Sequence, residues 1–186
     1  MKETNLIYER IEEKIKENNG FDELVIFDIE NVFGNKSVIT KNKERKNLKI
    51  NRAKRRLKNF DNYFNLTKNS LLIISAHRRL LEDLDKWYFD ESPPVEILIS
   101  AKGKDGADLA LIDSAEFILE SDLISNFKKV VIASGDHIFT PLVRKLEEKN
   151  IKYTTVSKNG SGLSNKMLEN SENHVVLDPE LEYAAA

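Results

Sequence analysis

The chain contains no cysteine and little glycine or proline, with seven glycines and four prolines among 186 residues. The absence of cysteine excludes a disulfide-stabilised scaffold, a thiolate metal site and cysteine catalysis. The low glycine and proline content excludes a fibrous protein or a flexible linker. Hydrophobic residues make up 40% of the chain and charged residues 32%, which is the composition of a globular domain that can bury a core.

Long apolar runs are also missing. The longest, such as residues 24–27 and 71–74, contain four residues, far fewer than the roughly 18 that a membrane helix needs. The opening decapeptide, MKETNLIYER, has no apolar signal region. These absences predict a cytoplasmic protein without a membrane partner.

Six short apolar runs alternate with helical patterns along the chain. The runs, each typical of a buried strand, occupy residues 23–27, 71–75, 95–99, 129–133, 152–156 and 174–177. Between them, apolar residues recur at helical spacings, as in Ile50, Ala53, Leu57, Phe60 and Phe64. This alternation predicts an α/β fold, a three-layer α/β/α sandwich with a mainly parallel sheet.

The first helical pattern covers residues 5–17 and ends at an Asn-Asn-Gly sequence. Its apolar face consists of Leu6, Ile7, Ile11 and Ile15. We expect residues 1–20 to be a helical extension and residues 21–183 to form the main domain. The helix could pack on that domain or mediate dimerisation, and nothing else in the sequence supports a homo-oligomer.

Acidic and polar residues follow three of the predicted strands. Asp28 and Asn31 come after the first strand, and Asp108 ends the segment after the third. Asp136 follows the fourth strand. Because ligands bind at the carboxyl ends of parallel strands, this edge is the expected site. Clustered carboxylates repel one another unless a cation neutralises them, and oxygen ligands suit Mg²⁺ or Mn²⁺. Each acid alone could be a turn residue or a helix cap, but the three together favour a metal site.

Residues 41–58 concentrate positive charge, with ten basic residues against one acid and a net charge of +9. Because the whole chain carries −2, this local excess is typical of a contact with a phosphate backbone. A solubilising helix face would mix lysine with glutamate, so we favour phosphate binding. The residues expected to contact nucleic acid are Arg45, Lys46, Lys49, Arg52, Arg55 and Arg56, joined at the sheet edge by Arg78, Lys102 and Lys104.

Three segments occur in a recognisable order: Asp28-Ile-Glu-Asn31, Lys102-Gly-Lys-Asp-Gly-Ala-Asp108, and Ser134-Gly-Asp136 followed by Pro141-Leu142. In this order, and in this strand and helix context, they resemble the signatures of NYN domains, which are PIN-like nucleases. The resemblance extends over residues 22–181. It implies a PIN-like, Rossmannoid α/β/α fold and a metal-dependent endoribonuclease that hydrolyses RNA phosphodiester bonds with Mg²⁺ or Mn²⁺.

The resemblance also implies roles for individual residues. The catalytic set would be Asp28, Asn31, Asp108 and Asp136, with the three aspartates as metal ligands. Supporting positions without direct metal contact would be Ser134 and Asp113. Asp105, in the lengthened middle segment, joins them as an acid that could compensate for a lost carboxylate. Asp113 lies five residues after Asp108 and would not share its helix face, so we expect it to face solvent or to support the site indirectly. Glu30 is expected on the surface of the turn. RNA is the implied partner, with DNA as the alternative.

The chain departs from the family pattern at position 138, where Ile138 replaces the second acid of the last motif. A lost carboxylate weakens a second metal position, so the alternative function is a catalytically degenerate RNA-binding adaptor of the same fold. A haloacid-dehalogenase phosphatase would need an aspartate two residues after Asp28, where the chain has Glu30. A dinucleotide-binding enzyme would need Gly-x-Gly-x-x-Gly after a strand, which the sequence lacks.

Overall fold

A parallel sheet of six strands forms the centre of the protein. The computed structural model describes residues 2–18, 20–33, 55–76, 94–101, 105–158, 164–165, 167 and 173–177. The strands are β1 (Phe21–Asp28), β2 (Ser70–Ala76), β3 (Val95–Ser100), β4 (Phe127–Ala133), β5 (Tyr153–Ser157) and β6 (His174–Val176). All six strands predicted from apolar runs are therefore confirmed, with ends shifted by up to two residues.

Five helices are described around this sheet. They are α1 (Lys2–Glu17), α2 (Ile29–Phe33), α3 (residues 55–64), α4 (Gly106–Glu120) and α5 (Thr140–Glu148). Two short 3₁₀ turns span Asp122–Asn126 and His137–Phe139. Among the helices in the described ranges, none combines the length and apolar character that crossing a membrane requires.

The strand order is β3-β2-β1-β4-β5-β6, and every neighbouring pair is parallel. Strand β1 therefore has β2 on one side and β4 on the other. The chain builds outward from β1 in one direction and later in the other, so the order reverses between β1 and β4. Such a reversal opens a crevice at the carboxyl ends of the two strands, where α/β proteins bind ligands.

The two faces of the sheet carry separate apolar cores, which makes the fold a three-layer α/β/α sandwich, as predicted. One core joins Leu24, Ile26, Ile73 and Ile132 to apolar residues of α1, α4 and α5. The other joins Val25, Phe27, Ile74 and Val131 to Leu57, Phe60 and Phe64 of α3. Successive strand residues point to opposite faces, so the apolar runs are buried on both sides.

Helix α1 packs against the domain. Ile11 and Ile15 are buried in the same core as the inward residues of β1, and Tyr8 stacks on Phe117 of α4 with ring centroids 4.1 Å apart. Gly20 follows the helix with a φ of +108°, a conformation that glycine adopts without strain. Of the two roles considered for this helix, packing on the domain is the one observed.

Candidate active site

The candidate site lies at the carboxyl ends of β1 and β4, in the crevice created by the reversal of strand order. Asp28 is the last residue of β1 and is 3% exposed. Ser134, Gly135 and Asp136 follow β4 directly. The sequence argument that these two strand ends meet at one edge is therefore confirmed by the pairing of β1 with β4.

Both carboxylate oxygens of Asp28 accept hydrogen bonds. The backbone N–H of Asn31 donates to Oδ1 at 3.0 Å, and Ser134 Oγ donates to Oδ2 at 2.8 Å. The first bond closes the turn from β1 into α2, and the second ties that turn to β4. These two donors hold the carboxylate in one orientation, which is how buried acids at functional sites are positioned.

Asn31 and Ser134 extend this connection between the two strand ends. Asn31 Oδ1 accepts from the backbone N–H of Gly135 at 3.2 Å. Ser134 Oγ, which donates to Asp28, also accepts from the backbone N–H of Asp136 at 3.2 Å. The hydroxyl of Ser134 is the single atom that bridges Asp28 and the Asp136 backbone, so the supporting role predicted for it agrees with its contacts.

Asp136 combines a capping role with a position in the site. Its Oδ1 accepts from the backbone N–H of Ile138 at 3.1 Å, which starts the 3₁₀ turn, and lies 3.0 Å from His137 Nδ1. Its side chain is 43% exposed, so one face of the carboxylate is open to solvent. The turn-cap interpretation of Asp136 is therefore confirmed, and its role in a metal site stays a prediction.

Asp108 lies in the first turn of α4 and is partly buried. The N-cap of this helix is Asp105, which adopts a left-handed conformation with φ 56° and makes no side-chain capping hydrogen bond. The side chain of Asp105 therefore does not cap the helix. Negative charge in the first turn of a helix is nevertheless favoured by the helix dipole.

The carboxyl groups share one electrostatic environment. Burial, together with the charges of Asp108 and Glu30, raises the pKa of Asp28 to about 7. The hydrogen bonds from Asn31 and Ser134 act in the opposite direction and lower this pKa. Burial, followed by the charges of Asp136, Asp105 and Glu30, raises the pKa of Asp108 to about 6. Shifts of this size, caused by desolvation and like charge at a sheet edge, are typical of functional sites.

Glu30 combines a partly exposed position in the turn with an effect on the site. Its charge contributes to raising the pKa of both Asp28 and Asp108. The signal was its position inside the Asp28–Asn31 turn, because the first turn of α2 carries it toward the same crevice.

The donor chemistry of the site suits a hard divalent cation. Carboxylates from Asp28, Asp108 and Asp136 and the amide of Asn31 offer only oxygen ligands, which Mg²⁺ and Mn²⁺ prefer. In the described ranges, no group of three or more His, Asp or Glu residues is arranged to hold a metal ion. The acids therefore fit such an ion by ligand type, whereas the described residues do not gather three of them around one point.

Asp113 lies outside this cluster. It is exposed on α4, and its charge contributes to raising the pKa of the Tyr8 hydroxyl on α1, after the larger effect of burial. Asp108 and Asp113 therefore occupy different faces of the same helix, as their spacing predicted. Of the two positions considered for Asp113, the solvent-facing one is observed.

The predicted nucleic-acid-binding residues are only partly within the described ranges. Those outside them are Arg45, Lys46, Lys49, Arg52, Arg78, Lys102 and Lys104. Arg55 is exposed at the start of the described part of α3, as a residue that contacts nucleic acid needs to be. Arg56 differs from the prediction, because it is 8% exposed and its Nη1 donates to the carbonyl oxygen of Val32 at 3.0 Å. Its guanidinium supports the end of α2 instead of facing a ligand.

Replacing Arg56 by alanine should destabilise the protein, whereas replacing its neighbour Arg55 should not. The first change removes a buried charge-assisted hydrogen bond and its packing, at a cost of about 2 kcal/mol. The exposed Arg55 should change the free energy of unfolding by less than about 0.5 kcal/mol. Urea unfolding of both variants checks this, and equal stability would show that Arg56 is not structural.

The comparisons with known proteins place no name on this site. No protein-family model matches the chain, and no curated protein matches it. Among solved structures, a protein of unknown function from Vibrio parahaemolyticus is similar, with a TM-score of 0.48 and 15% sequence identity. The match covers 87% of this chain and 95% of that chain.

Proposed function

We propose that the protein is a metal-dependent endoribonuclease of the NYN type. The observation that carries this proposal is the shared environment of Asp28, Asp108 and Asp136, which come from three chain segments and in which burial and like charge raise the pKa of two of the acids. A protein tolerates such repulsion where a cation neutralises it. We place the activity in the cytoplasm.

Asp28, Asp108 and Asp136 would hold Mg²⁺ or Mn²⁺, which supplies charge neutralisation at the phosphodiester and lowers the pKa of water. The residues around them fix the acids. Ser134 Oγ and the Asn31 N–H hold Asp28 in place, and Asn31 Oδ1 anchors the turn after β4 through Gly135. Such prior positioning reduces the reorganisation needed when substrate binds.

RNA is the proposed substrate because of the charge on the adjoining segment. Residues 41–58 carry a net charge of +9. Two of these basic residues, Arg55 and Lys58, lie in the described part of α3 and are exposed. Arg56 donates to Val32 in α2, which links α3 to the helix that follows Asp28. The described part of α3 therefore contacts the helix that follows Asp28, which supports a phosphate backbone lying near the acids.

The second candidate is an RNA-binding adaptor that has lost catalysis, and position 138 favours it. Ile138 is partly buried against the core of α4 and α5, so it supplies no ligand where the resembling family has an acid. The two candidates make different predictions for the metal. An adaptor would bind RNA in a salt-dependent way but produce no metal-dependent fragments.

The test is cleavage of a labelled RNA pool with Mg²⁺, Mn²⁺ or EDTA, using wild type, Asp108→Asn and Asp113→Asn. These two variants make the same chemical change on one helix, at a site acid and at an exposed acid. We expect cleavage that EDTA removes, a loss of about 100-fold or more in Asp108→Asn, and full activity in Asp113→Asn. Salt-sensitive binding without cleavage would favour the adaptor. The absence of both cleavage and binding would reject both candidate functions.

A further inference from the structure

A second cleft lies at the amino ends of the strands, on the edge opposite the candidate active site. It has a volume of about 490 Å³ and is lined by Glu23, Lys128, Lys129, Lys152, Phe64 and Ser70, among others. Glu23 precedes Asp28 by five positions on β1, which corresponds to about 17 Å along the strand. The cleft is therefore separate from the acids at the carboxyl ends, and the inference below does not depend on the proposed nuclease.

The parallel register assembles the charged wall of this cleft. Glu23 of β1 pairs with Ser70 of β2 on one side and with Lys129 of β4 on the other. Lys152 lies beside Lys129, because the next residues, Val130 and Tyr153, are paired. Residues side by side in a parallel sheet point to the same face, so three neighbouring strand positions and Lys152, directly before β5, form one polar row.

The Glu23 carboxylate has one satisfied and one unsatisfied oxygen. Oε1 lies 2.7 Å from Lys129 Nζ, which is also 5.5 Å from the centroid of the Phe64 ring. Oε2 is buried and accepts no hydrogen bond from the described residues, and Glu23 as a whole is 6% exposed. Leaving a buried acceptor without a donor costs about 1–3 kcal/mol, and native proteins rarely do so. A ligand or a water that donates to Oε2 would remove this cost.

The charged side chains that line the cleft indicate a second chemical group of the ligand, besides the hydrogen-bond donor. Lys129 pairs with Glu23 and Lys128 pairs with Asp22. Lys152 is exposed and forms no ion pair within the part of the chain described. The lining therefore has one ammonium group in excess, which favours an anionic ligand group. Because the charge of Glu23 is already balanced, its free oxygen suits a neutral N–H donor better than a second ammonium.

We infer that this cleft binds a nucleoside monophosphate, with a base N–H donating to Glu23 Oε2 and the phosphate on Lys152. A nucleotide joins a neutral N–H donor to an anion, and a cleft of about 490 Å³ lies within the range of roughly 300–1,000 Å³ for small-molecule sites. An amino acid would bring an ammonium group, for which the cleft has no unpaired carboxylate among the described residues.

Calorimetry on the full chain without divalent metal tests the inference, with AMP, GMP, CMP, UMP, adenosine and inorganic phosphate as separate probes. We expect at least one nucleotide to bind at least about tenfold more tightly than adenosine or phosphate alone. The phosphate adds a charge-assisted contact with Lys152, and the base adds a buried hydrogen bond to Glu23. No binding at about 1 mM, or equal binding of phosphate and nucleotide, would overturn the inference. In the first outcome, water satisfies Oε2; in the second, the lysines form an unspecific anion patch.

Variants locate the site. Lys152→Ala should weaken nucleotide binding about tenfold, since it removes a charge-assisted contact from an exposed position without disturbing the core. Lys149→Ala changes a nearby exposed lysine that does not line the cleft and should leave the affinity unchanged. Glu23→Gln keeps the shape but removes the charge and should also weaken binding. Because Glu23→Gln also breaks the pair with Lys129, unchanged affinity in Lys152→Ala is the result that rejects the site.

Discussion

Replacing Asp28 by asparagine should stabilise the metal-free protein and at the same time abolish RNA cleavage. Burial and the charges of Asp108 and Glu30 raise the pKa of this carboxyl from 3.8 to about 7. A shift of this size corresponds to roughly 4 kcal/mol of folding free energy spent on keeping the group ionised. Asparagine has nearly the same shape, and its Oδ1 can still accept from the Asn31 N–H. Its Nδ2 can donate to Ser134 Oγ, which reverses the direction of that hydrogen bond and removes the acceptor of the Ser134 hydroxyl, so we expect part of the gain to be lost.

The stability gain should depend on pH with a definite sign. The pKa of Asp28 is higher in the folded state than in the unfolded state, so ionisation of Asp28 lowers the free energy of unfolding of the wild type. This loss is complete above about pH 7 and disappears as the pH falls toward about 4. The free energy of unfolding of Asp28→Asn should therefore exceed that of the wild type by about 2–4 kcal/mol near pH 8, and the two should be equal near pH 4. Urea unfolding between these pH values, with EDTA present, measures the difference.

The same variant should lose cleavage by about 100-fold or more, since the acid that would bind the cation is gone. Asp113→Asn is the control, because its carboxyl is exposed and lies on another face of α4. It should change neither stability nor cleavage. Lower stability of Asp28→Asn near pH 8 would instead make Asp28 a structural capping residue, and wild-type cleavage would remove it from the catalytic set.

Mn²⁺ should raise the melting temperature of the wild type strongly near pH 8 and little near pH 5. A divalent cation must displace protons from the acids that bind it, and the pKa is about 7 for Asp28 and about 6 for Asp108. Below both pKa values, each proton that Mn²⁺ must displace lowers the Mn²⁺ affinity about tenfold for every unit by which the pH falls. Two such protons lower the affinity about 100-fold per pH unit. The stabilisation follows from binding to the folded state alone.

Thermal unfolding at a series of Mn²⁺ concentrations and pH values checks this without any measurement of activity. Asp108→Asn should lose most of the Mn²⁺-induced shift, whereas Asp113→Asn, about 1.4 turns further along the same helix and on another face, should keep it. An equal shift in both variants would mean that Mn²⁺ binds elsewhere on this acidic chain. A shift that did not change with pH would show that protonated carboxyls are not the competing species.

Much of the fold follows from local patterns that the chain carries in every strand. Runs such as Leu24–Phe27 and Leu71–Ile74 are apolar throughout, which only a sheet covered on both faces can accommodate. The placement of acids directly after such runs then located the candidate site, since parallel strands end at a common edge. Asp28, Ser134 and Asp136 could be grouped for this reason before any contact was known.

The sequence alone therefore determined the α/β class, the strands and the edge at which the acids collect. Only the tertiary structure decided what each polar side chain does. Arg55 and Arg56 are identical in type and adjacent, yet one is exposed and the other is buried against Val32. The unsatisfied oxygen of Glu23 depends on strands far apart in sequence. Burial, pKa and hydrogen bonding are set by these long-range neighbours, which local periodicity does not encode.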